Sequence, residues 1–255
     1  MIIAFANHKG GTGKTTSTIN IGRALCKLGK KVLLIDLDPQ GNLSYSLGLS
    51  DEKLTVCDFL LGHNSFEEIA CEAFKMHVLP ANISLYKSTN QIENQVDSKF
   101  ILKHKLNTIS SHYDFILIDC PPAISIYTVN ALNAADGVII PLVFEILSIQ
   151  GLDQILSEIK AIKNTSNPNI TVIGALGVVV NESRKLSSEV LEFVRDNYSI
   201  NVFNNHVRNN VKAAEAPSFG KSVIDYAPTA SSSKDYVNVT NELLKILEGT
   251  PQLVN

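Results

Sequence analysis

A segment rich in lysine and glycine near the start of the chain has the residue types needed to hold a chain of phosphates. It consists of Lys9, Gly10, Gly11, Thr12, Gly13, Lys14, Thr15 and Thr16. Glycines let successive backbone N–H groups face phosphate oxygens, and a helix that starts here adds the positive end of its dipole. Lys14 is spaced to reach the β- and γ-phosphates, and the Thr15 hydroxyl to ligate Mg²⁺. The segment predicts a loop for a nucleoside triphosphate, although His8 replaces the first glycine of the general G-x-x-x-x-G-K-[S/T] pattern.

Carboxylates follow two apolar runs that are typical of buried strands. The run Val32–Asp36 is followed two residues later by Asp38, and the run Phe115–Asp119 ends in its own acid. Ligands of parallel sheets bind at the carboxyl ends of strands, so these acids are candidates for orienting Mg²⁺ or the attacking water.

Short apolar runs alternate with stretches of helical periodicity along the chain. The runs are Ile2–Ala6, Val32–Asp36, His77–Pro80, Phe115–Asp119, Val138–Leu142 and Val172–Val180, and the helical stretches are Thr15–Leu28, Leu152–Ile162, Ser187–Val194 and Val237–Leu247. This alternation predicts an α/β fold, a mostly parallel twisted sheet flanked by helices on both faces. We also expect short helices within Ser50–Glu72, and a cap for the last helix from Ser231, Ser232 or Ser233.

The composition excludes several classes of protein. The 255 residues are 45% hydrophobic and 18% charged, which is not a disordered composition. A net charge of −3 excludes a bulk polycation, so nucleic acid would have to bind a local basic patch. The four cysteines, Cys26, Cys57, Cys71 and Cys120, form no C-x-x-C pair and are expected to be reduced thiols in the cytosol. No apolar run approaches the ~18 residues of a membrane span.

The glycine-rich loop resembles the deviant Walker A motif of the ParA/MinD superfamily of P-loop ATPases. The mark of that motif is an additional lysine, here Lys9, which in the family reaches across an ATP-bound dimer to the nucleotide of the partner. The segment from Asp36 to Asn42 resembles the D-x-D-P-Q-G-N motif of the family, and Asp119 with Cys120-Pro121-Pro122 resembles its Walker B strand and D-x-P-P turn. The resemblance implies catalytic roles for Lys9, Lys14 and Asp38, and a Mg²⁺ site formed by Thr15, Asp38 and Asp119.

A second resemblance, specific to ParA proteins, covers residues 210–221. Their sequence N-V-K-A-A-E-A-P-S-F-G-K is similar to the ParA segment N-V-R-L-S-E-A-P-S-x-G, with Lys212 in place of the arginine. Family members use basic residues near this segment to bind DNA without sequence specificity. The DNA contacts implied here are Arg184, Lys185, Arg208, Lys212 and Lys221, and the adenine contacts implied are Asn181, Arg208 and Asn209. The Arg208-Asn209 pair is out of step by one residue with the Pro-Arg-Asn of the family.

The resemblance extends from residue 2 to about residue 247 and implies one ParA-like P-loop ATPase domain over residues 1–255, without an N-terminal helix-turn-helix extension. It implies a cytoplasmic, nucleoid-associated ATPase that uses ATP and Mg²⁺ and segregates or positions chromosome or plasmid DNA. The implied partners are a second copy of the chain on ATP binding, non-specific double-stranded DNA and a ParB-like adaptor that stimulates slow basal hydrolysis. No membrane partner is expected.

Other functions remain open at this point. A ParA-like ATPase that positions a non-DNA cargo would have the same chemistry. A MinD-like ATPase that cycles on membranes needs a basic amphipathic C-terminal helix, whereas the tail after Thr240 has Lys245 against Glu242 and Glu248. A metabolic or iron–sulfur relative, such as a nitrogenase iron protein, an amidase or a synthetase, ranks lower because an intersubunit cluster needs two suitably placed cysteines per subunit.

Overall fold

The computed structural model describes residues 1–180 and 185–249. The strands are β1 (Ile2–Phe5), β2 (Val32–Asp36), β3 (Cys71–Ala73), β4 (Met76–Leu79), β5 (Phe115–Asp119), β6 (Gly137–Val143) and β7 (Thr171–Val178). The helices are α1 (Lys14–Lys27), α2 (Asn42–Ser46), α3 (Val56–Leu61), α4 (Phe66–Ile69), α5 (Ser84–Lys87), α6 (Thr89–Glu93), α7 (Ile101–Leu106), α8 (Ile126–Ala134), α9 (Ile146–Thr165), α10 (Lys185–Asn197), α11 (Val211–Glu215), α12 (Val223–Tyr226) and α13 (Ser231–Gly249). Two short 3-10 helices lie at Ser110–His112 and Ala216–Phe219.

The strands form one sheet in the order β3-β4-β2-β5-β1-β6-β7. Neighbours from β4 to β7 run parallel, and β3 runs antiparallel to β4. The register places Asp119 at the end of β5 between Phe5 of β1 and Asp36 of β2. The predicted mostly parallel α/β sheet is therefore confirmed, and the carboxyl ends of β1, β2 and β5 meet at its centre.

The edge strand β3 is absent from the sequence-based assignment. It joins β4 through the turn residues Phe74 and Lys75, whose φ angles of 53° and 65° fit a two-residue hairpin turn. Such turns are normally signalled by Asn-Gly or a second glycine, and Phe-Lys carries no such signal. Tertiary contacts hold the turn instead, because Arg23 Nη1 on α1 donates to the Phe74 carbonyl at 3.0 Å.

Alternate residues of the central strands face two separate cores. Ala4, Leu33 and Ile116 belong to the core that α3, α7, α8, α9 and α10 cover. Ile3 and Leu34 belong to the core that α1, α12 and α13 cover. Helices on both faces of the sheet are therefore confirmed, and they hold the central strand ends in fixed positions.

Periodicity located the longer helices better than it located their ends. The stretches that were expected to be helical lie inside longer helices in α9, α10 and α13, and the short helices expected within Ser50–Glu72 are α3 and α4. The expected serine cap is wrong, because α13 begins at Ser231 and Ser233 lies inside its first turn. The Ser233 hydroxyl donates to the carbonyls of Val223 and Ala227 at 2.9 and 2.7 Å.

Among residues 1–180 and 185–249, no helix combines the length and the apolar character needed to cross a membrane.

Candidate functional site

A cavity of about 690 Å³ opens at the carboxyl edge of the sheet. The residues that line the cavity include the loop Gly10–Thr16, Asp38, the segment Val207–Asn210 and Pro217. The phosphate-loop residues expected from the sequence thus lie together with Asp38 and with the expected base contacts Arg208 and Asn209. Asn181, the third expected adenine contact, lies outside the described residues.

Left-handed backbone at two glycines shapes the phosphate loop. Gly11 and Gly13 have φ angles of 73° and 71°, a backbone region that residues with a Cβ atom rarely adopt. A Cβ on Gly13 would also lie 3.3 Å from Cγ2 of Val178 in β7. Helix α1 begins directly after Gly13, and its first backbone N–H groups have no acceptor within the helix. Because Lys14 and Thr15 line the cavity, this helix start is placed to bind an anion there.

The two lysines of the loop have different surroundings. Lys14 is buried, and its Nζ donates to the Lys9 carbonyl at 3.1 Å. Burial lowers the pKa of Lys14, whereas the nearby Asp119 carboxylate acts in the opposite direction. The Lys9 side chain is 36% exposed and its Nζ lies 4.0 Å from Glu145 Oε2. Lys14 lines the cavity, and Lys9 is not among the described residues that do so.

Thr15 and Asp119 form a pair beneath the cavity. The Thr15 hydroxyl donates to Asp119 Oδ2 at 2.6 Å, and Asp119 Oδ1 is buried without a hydrogen-bond partner among the described residues. Burial, and then the neighbouring Asp36, raise the pKa of Asp119 well above its ordinary value. An unpartnered carboxylate oxygen beside a hydroxyl fits Mg²⁺, which prefers oxygen ligands. No group of three or more acids, histidines or cysteines in the described part of the chain could hold a metal alone, so phosphate oxygens would complete the shell.

Asp36 and Asp38 have different surroundings, because β2 ends at Asp36 and the chain turns before Asp38. Asp36 is fully buried and accepts hydrogen bonds from the backbone of Asp38 at 3.1 Å and from the N–H and hydroxyl of Ser44 at 3.0 and 2.8 Å. Burial raises its pKa to about 6, although these hydrogen bonds lower it. Asp38 lines the cavity, and its Oδ1 accepts from the Gln40 N–H at 2.9 Å. Asp36 therefore holds the turn that places Asp38 at the wall of the cavity.

The residues expected to contact DNA are not one free basic patch. Arg208 forms an ion pair with Asp235 at 2.7 Å. Lys212 Nζ lies 2.9 Å from Glu215 Oε2 and 5.7 Å from the centre of the Tyr226 ring. Lys221 is exposed at the end of the 3-10 helix Ala216–Phe219. Arg184 lies outside the described residues, and of Lys185 the structure describes only the backbone at the start of α10.

Two residues that build the site, Asn7 and Ser44, were missed by the sequence analysis. Asn7 is buried at the end of β1, where its Nδ2 donates to the Pro141 carbonyl at 2.7 Å and its Oδ1 accepts from the Lys9 N–H at 3.0 Å. Ser44 connects Asp36 to the rest of the sheet edge, because its hydroxyl also accepts from the Ala81 N–H at 2.8 Å. Asn7 follows an apolar run directly, which is the one signal that could have found it.

The fold and the loop define a P-loop nucleotide-binding protein. A family model described as an AAA domain matches residues 1–172. The chain is 37% identical over 244 residues to the chromosome-partitioning ATPase Soj of Treponema pallidum, covering 95% of this chain and 96% of the relative. It is 34% identical over 246 residues to the sporulation initiation inhibitor protein Soj of Bacillus subtilis, covering 95% and 97%. The chain belongs to the family of Soj and ParA chromosome-partitioning ATPases.

A solved structure supports the assignment of the cavity. The protein called cobyrinic acid a,c-diamide synthase from Mycobacterium smegmatis, with bound ADP and magnesium, superposes with a TM-score of 0.86 at 31% identity, covering 97% of this chain and 95% of that one.

In our structure, all four cysteines are free thiols, and Cys57 and Cys120 are buried.

Proposed function

We propose that this chain is an ATPase that forms an ATP-sandwiched homodimer, binds DNA non-specifically and is switched off when an adaptor stimulates hydrolysis. The observation that carries the proposal is the placement of the two lysines. Lys14 lines the cavity of its own subunit, whereas Lys9 does not and keeps a partly exposed ammonium at the front of the loop. A cation in that position is suited to a nucleotide held by a second copy of the chain.

The cavity supports ATP and Mg²⁺ as cofactors. The loop Gly10–Thr16 would hold the phosphates, with Lys14 neutralising the β- and γ-phosphates. Thr15, Asp119 and Asp38 would hold Mg²⁺, which supplies charge neutralisation to the phosphoryl group. Asp38, held by Asp36, would orient the attacking water. A lysine that reaches across to a triphosphate loses part of its attraction when a diphosphate remains, so hydrolysis would weaken the dimer.

The positions of the arginines support slow basal hydrolysis. Phosphoryl transfer is often accelerated by an arginine that stabilises the charge of the transition state. Of the arginines in the described part of the chain, Arg23 is paired with Asp225, Arg195 lies beside Asn204, and Arg208 is paired with Asp235. Fast turnover would therefore need a group supplied by a partner, which is the role we assign to a ParB-like adaptor.

The names of two relatives, the chromosome-partitioning ATPase Soj and the chromosome partitioning protein ParA, support segregation of DNA as the task. The cargo that we propose is chromosome or plasmid DNA. A ParA-like protein that positions another cargo would share every residue of this site, since the adaptor chooses the cargo. Nucleotide-dependent dimerisation is therefore tested first, because positioning of either cargo requires it.

The oligomeric state with each nucleotide tests the proposal. Size-exclusion chromatography with light scattering would compare the wild type, Asp38→Ala and Lys9→Ala with ATP–Mg²⁺, with ADP–Mg²⁺ and without nucleotide. We expect Asp38→Ala to accumulate as a dimer with ATP alone, and Lys9→Ala to bind ATP but remain a monomer. Lys212→Ala removes a surface lysine outside the cavity and serves as the control, with dimerisation like the wild type. Dimerisation of Lys9→Ala equal to the wild type would contradict a role for Lys9 across the interface.

A further inference from the structure

Side chains hold the backbone of Lys9 on both sides. The Lys9 N–H donates to Asn7 Oδ1 at 3.0 Å. The Lys9 carbonyl accepts from Lys14 Nζ at 3.1 Å and from the Thr12 hydroxyl at 3.2 Å. Thr12 and Lys14 line the cavity, whereas Asn7 and Lys9 are not among the described residues that do so. Lys9 is therefore fixed at the border of the cavity, by the cavity wall on one side and by the chain after β1 on the other.

A second hydrogen bond holds Asn7 itself. Asn7 is 2% exposed, and its Nδ2 donates to the carbonyl of Pro141 in β6 at 2.7 Å. An amide whose oxygen and nitrogen are both bonded cannot turn without leaving a buried polar group unpartnered, which is costly. The pairing of β1 with β6 therefore sets the position of Asn7, and Asn7 sets the position of the Lys9 N–H.

Helix α9 approaches Asn7 and Lys9 at a glycine. A Cβ on Gly151 would lie 3.0 Å from Asn7 Oδ1 and 3.5 Å from Lys9 Cβ. Gly151 lies inside α9, where alanine would be the better helix former. A carbon atom 3.0 Å from Asn7 Oδ1 would press the amide away from the Lys9 N–H. Glycine at position 151 therefore leaves room for Asn7 at the expense of the helix.

The side chain of Lys9 lies beside the start of α9. Its Cβ is close to Gly151, and its Nζ lies 4.0 Å from Oε2 of Glu145, the residue that precedes α9. The side chains of Lys9 and Glu145 are 36% and 52% exposed, and an ion pair between exposed groups is weak. The hydrogen bond from Asn7 and the close approach of Gly151 therefore do more to orient Lys9 than the ion pair does.

We propose that Asn7 is the positioning residue that holds Lys9 in place for the nucleotide of a second copy of the chain, and that this position requires glycine at 151. The proposal rests on the proposed function, which assigns Lys9 to the nucleotide of the partner. Neither Asn7 nor Gly151 is among the described residues that line the cavity. Displacement of Lys9 should therefore weaken the dimer and leave ATP binding within one subunit intact.

Separate measurements of dimerisation and of ATP binding test this assignment. All variants are made in the full Asp38→Ala chain, which serves as the parent because we expect it to keep its ATP. Sedimentation velocity over a concentration series with ATP–Mg²⁺ gives the dissociation constant of the dimer. Titration with a fluorescent ATP analogue and Mg²⁺, at chain concentrations below that constant, gives the nucleotide affinity of the single chain. We expect Asn7→Ala and Gly151→Ala to raise the dimer dissociation constant about ten- to hundredfold and to bind the analogue as the parent does.

Double variants separate positioning from general damage. Adding Asn7→Ala to Lys9→Ala should change neither the residual dimerisation nor the nucleotide affinity, since the ammonium that Asn7 positions is already gone. Adding Gly151→Ala to Asn7→Ala should weaken the dimer no further, because the amide that the new Cβ would press is absent.

Asn167→Ala is the matched control for Asn7→Ala. Asn167 is also buried, and its Nδ2 donates to the carbonyls of Leu132 and Ala135 at 2.9 and 2.8 Å. Its removal also costs a buried asparagine two hydrogen bonds, but away from Lys9. We expect Asn167→Ala to lower the melting temperature and to leave both dissociation constants as in the parent.

Three results would overturn the assignment. If Asn7→Ala and Gly151→Ala dimerise like the parent while Lys9→Ala is a monomer, the positioning role is refuted and the proposed function stands. If both variants lose nucleotide affinity in the same proportion as dimer affinity, the damage is to the loop as a whole. If Lys9→Ala itself dimerises like the parent, the proposed role of Lys9 and this assignment are refuted together.

Discussion

Thr15 at the start of α1 and Asp119 at the end of β5 lie together. The hydroxyl of Thr15 donates to Asp119 Oδ2, and the other oxygen of that carboxylate is buried without a hydrogen-bond partner among the described residues. In the proposed function, both side chains would ligate Mg²⁺.

Replacing Thr15 with alanine should weaken ATP binding only when Mg²⁺ is present. The substitution removes one metal ligand and leaves the backbone N–H groups and Lys14 in place, so we expect a loss of about ten- to hundredfold in affinity with Mg²⁺. In excess EDTA, Thr15→Ala and the wild type should bind ATP equally. Fluorescence titration with and without Mg²⁺ measures both values, and an equal loss in EDTA would count against Thr15 as a ligand.

Sequence spacing could predict the residues of the site that belong to one continuous segment. Gly13, Lys14 and Thr15 could be recognised from their order in the sequence, because consecutive residues lie together in any fold. Asn7 and Asp235 could not be found this way, since their partners Pro141 and Arg208 are 134 and 27 positions away. Only the packed structure shows that Arg208 is paired with an acid, which changes what a basic residue at that position does.

At the scale of elements, the turn between β2 and α2 fixes the position of Asp38 relative to Asp36. Gly41 lies in this turn with a φ of 62°, and a Cβ there would lie 2.6 Å from the carbonyl O of Ala81. The turn is thus pressed against the chain that follows β4, and the hydroxyl of Ser44 joins the two.

Gly41→Ala should destabilise the protein more than Gly48→Ala does. Gly48 has a similar φ of 76° but open space around it, so the two variants share the backbone cost of about 1 kcal/mol. The collision at Gly41 adds about 2 kcal/mol and displaces Asp38. Urea unfolding gives the difference in stability, and single-turnover hydrolysis should slow in Gly41→Ala alone. Equal stability of the two variants would refute the close contact.

Elements buried on both faces were predictable, and the edge of the sheet was not. The runs Val32–Asp36 and Phe115–Asp119 are apolar throughout because helices cover both faces of β2 and β5, and the sequence analysis gave both strands their observed bounds. β3 has three residues, one of them exposed, and a turn without glycine. Its position depends on the contact of Arg23 with Phe74, which no local pattern reveals.

At the scale of the whole molecule, buried tyrosines make the fold sensitive to alkaline pH. Burial raises the pKa of Tyr236 from 10.0 to about 12. The native state then keeps its phenol proton where the unfolded chain loses it. The stability that this group contributes is complete below pH 10 and is lost as the pH rises through about 12.

Tyr236→Phe should flatten the loss of stability at alkaline pH. Urea denaturation between pH 9 and 12 should show a loss of stability in the wild type that is about 2 kcal/mol smaller in the variant. Tyr86→Phe is the control, because Tyr86 is 72% exposed, and its profile should follow that of the wild type. The same slope in Tyr236→Phe and the wild type would place the titration elsewhere.

The net charge of the whole molecule limits how DNA can bind. A net charge of −3, with Lys212 paired to Glu215 and Arg208 paired to Asp235, leaves a modest basic surface on one subunit. Dimerisation doubles any such surface, and each phosphate contact makes binding more sensitive to salt. We therefore expect DNA to bind only the dimer, so that the bound nucleotide controls DNA binding.

Binding to random-sequence duplex DNA across a salt series tests this account most directly. Fluorescence anisotropy would be measured with ATP–Mg²⁺, with ADP–Mg²⁺ and without nucleotide, for the wild type and for Asp38→Ala. We predict binding with ATP alone, strongest in Asp38→Ala, with affinity that falls linearly as the logarithm of salt concentration rises. Equal binding with ADP, or no binding in any state by a chain that binds ATP normally, would contradict a nucleotide-gated DNA-binding ATPase.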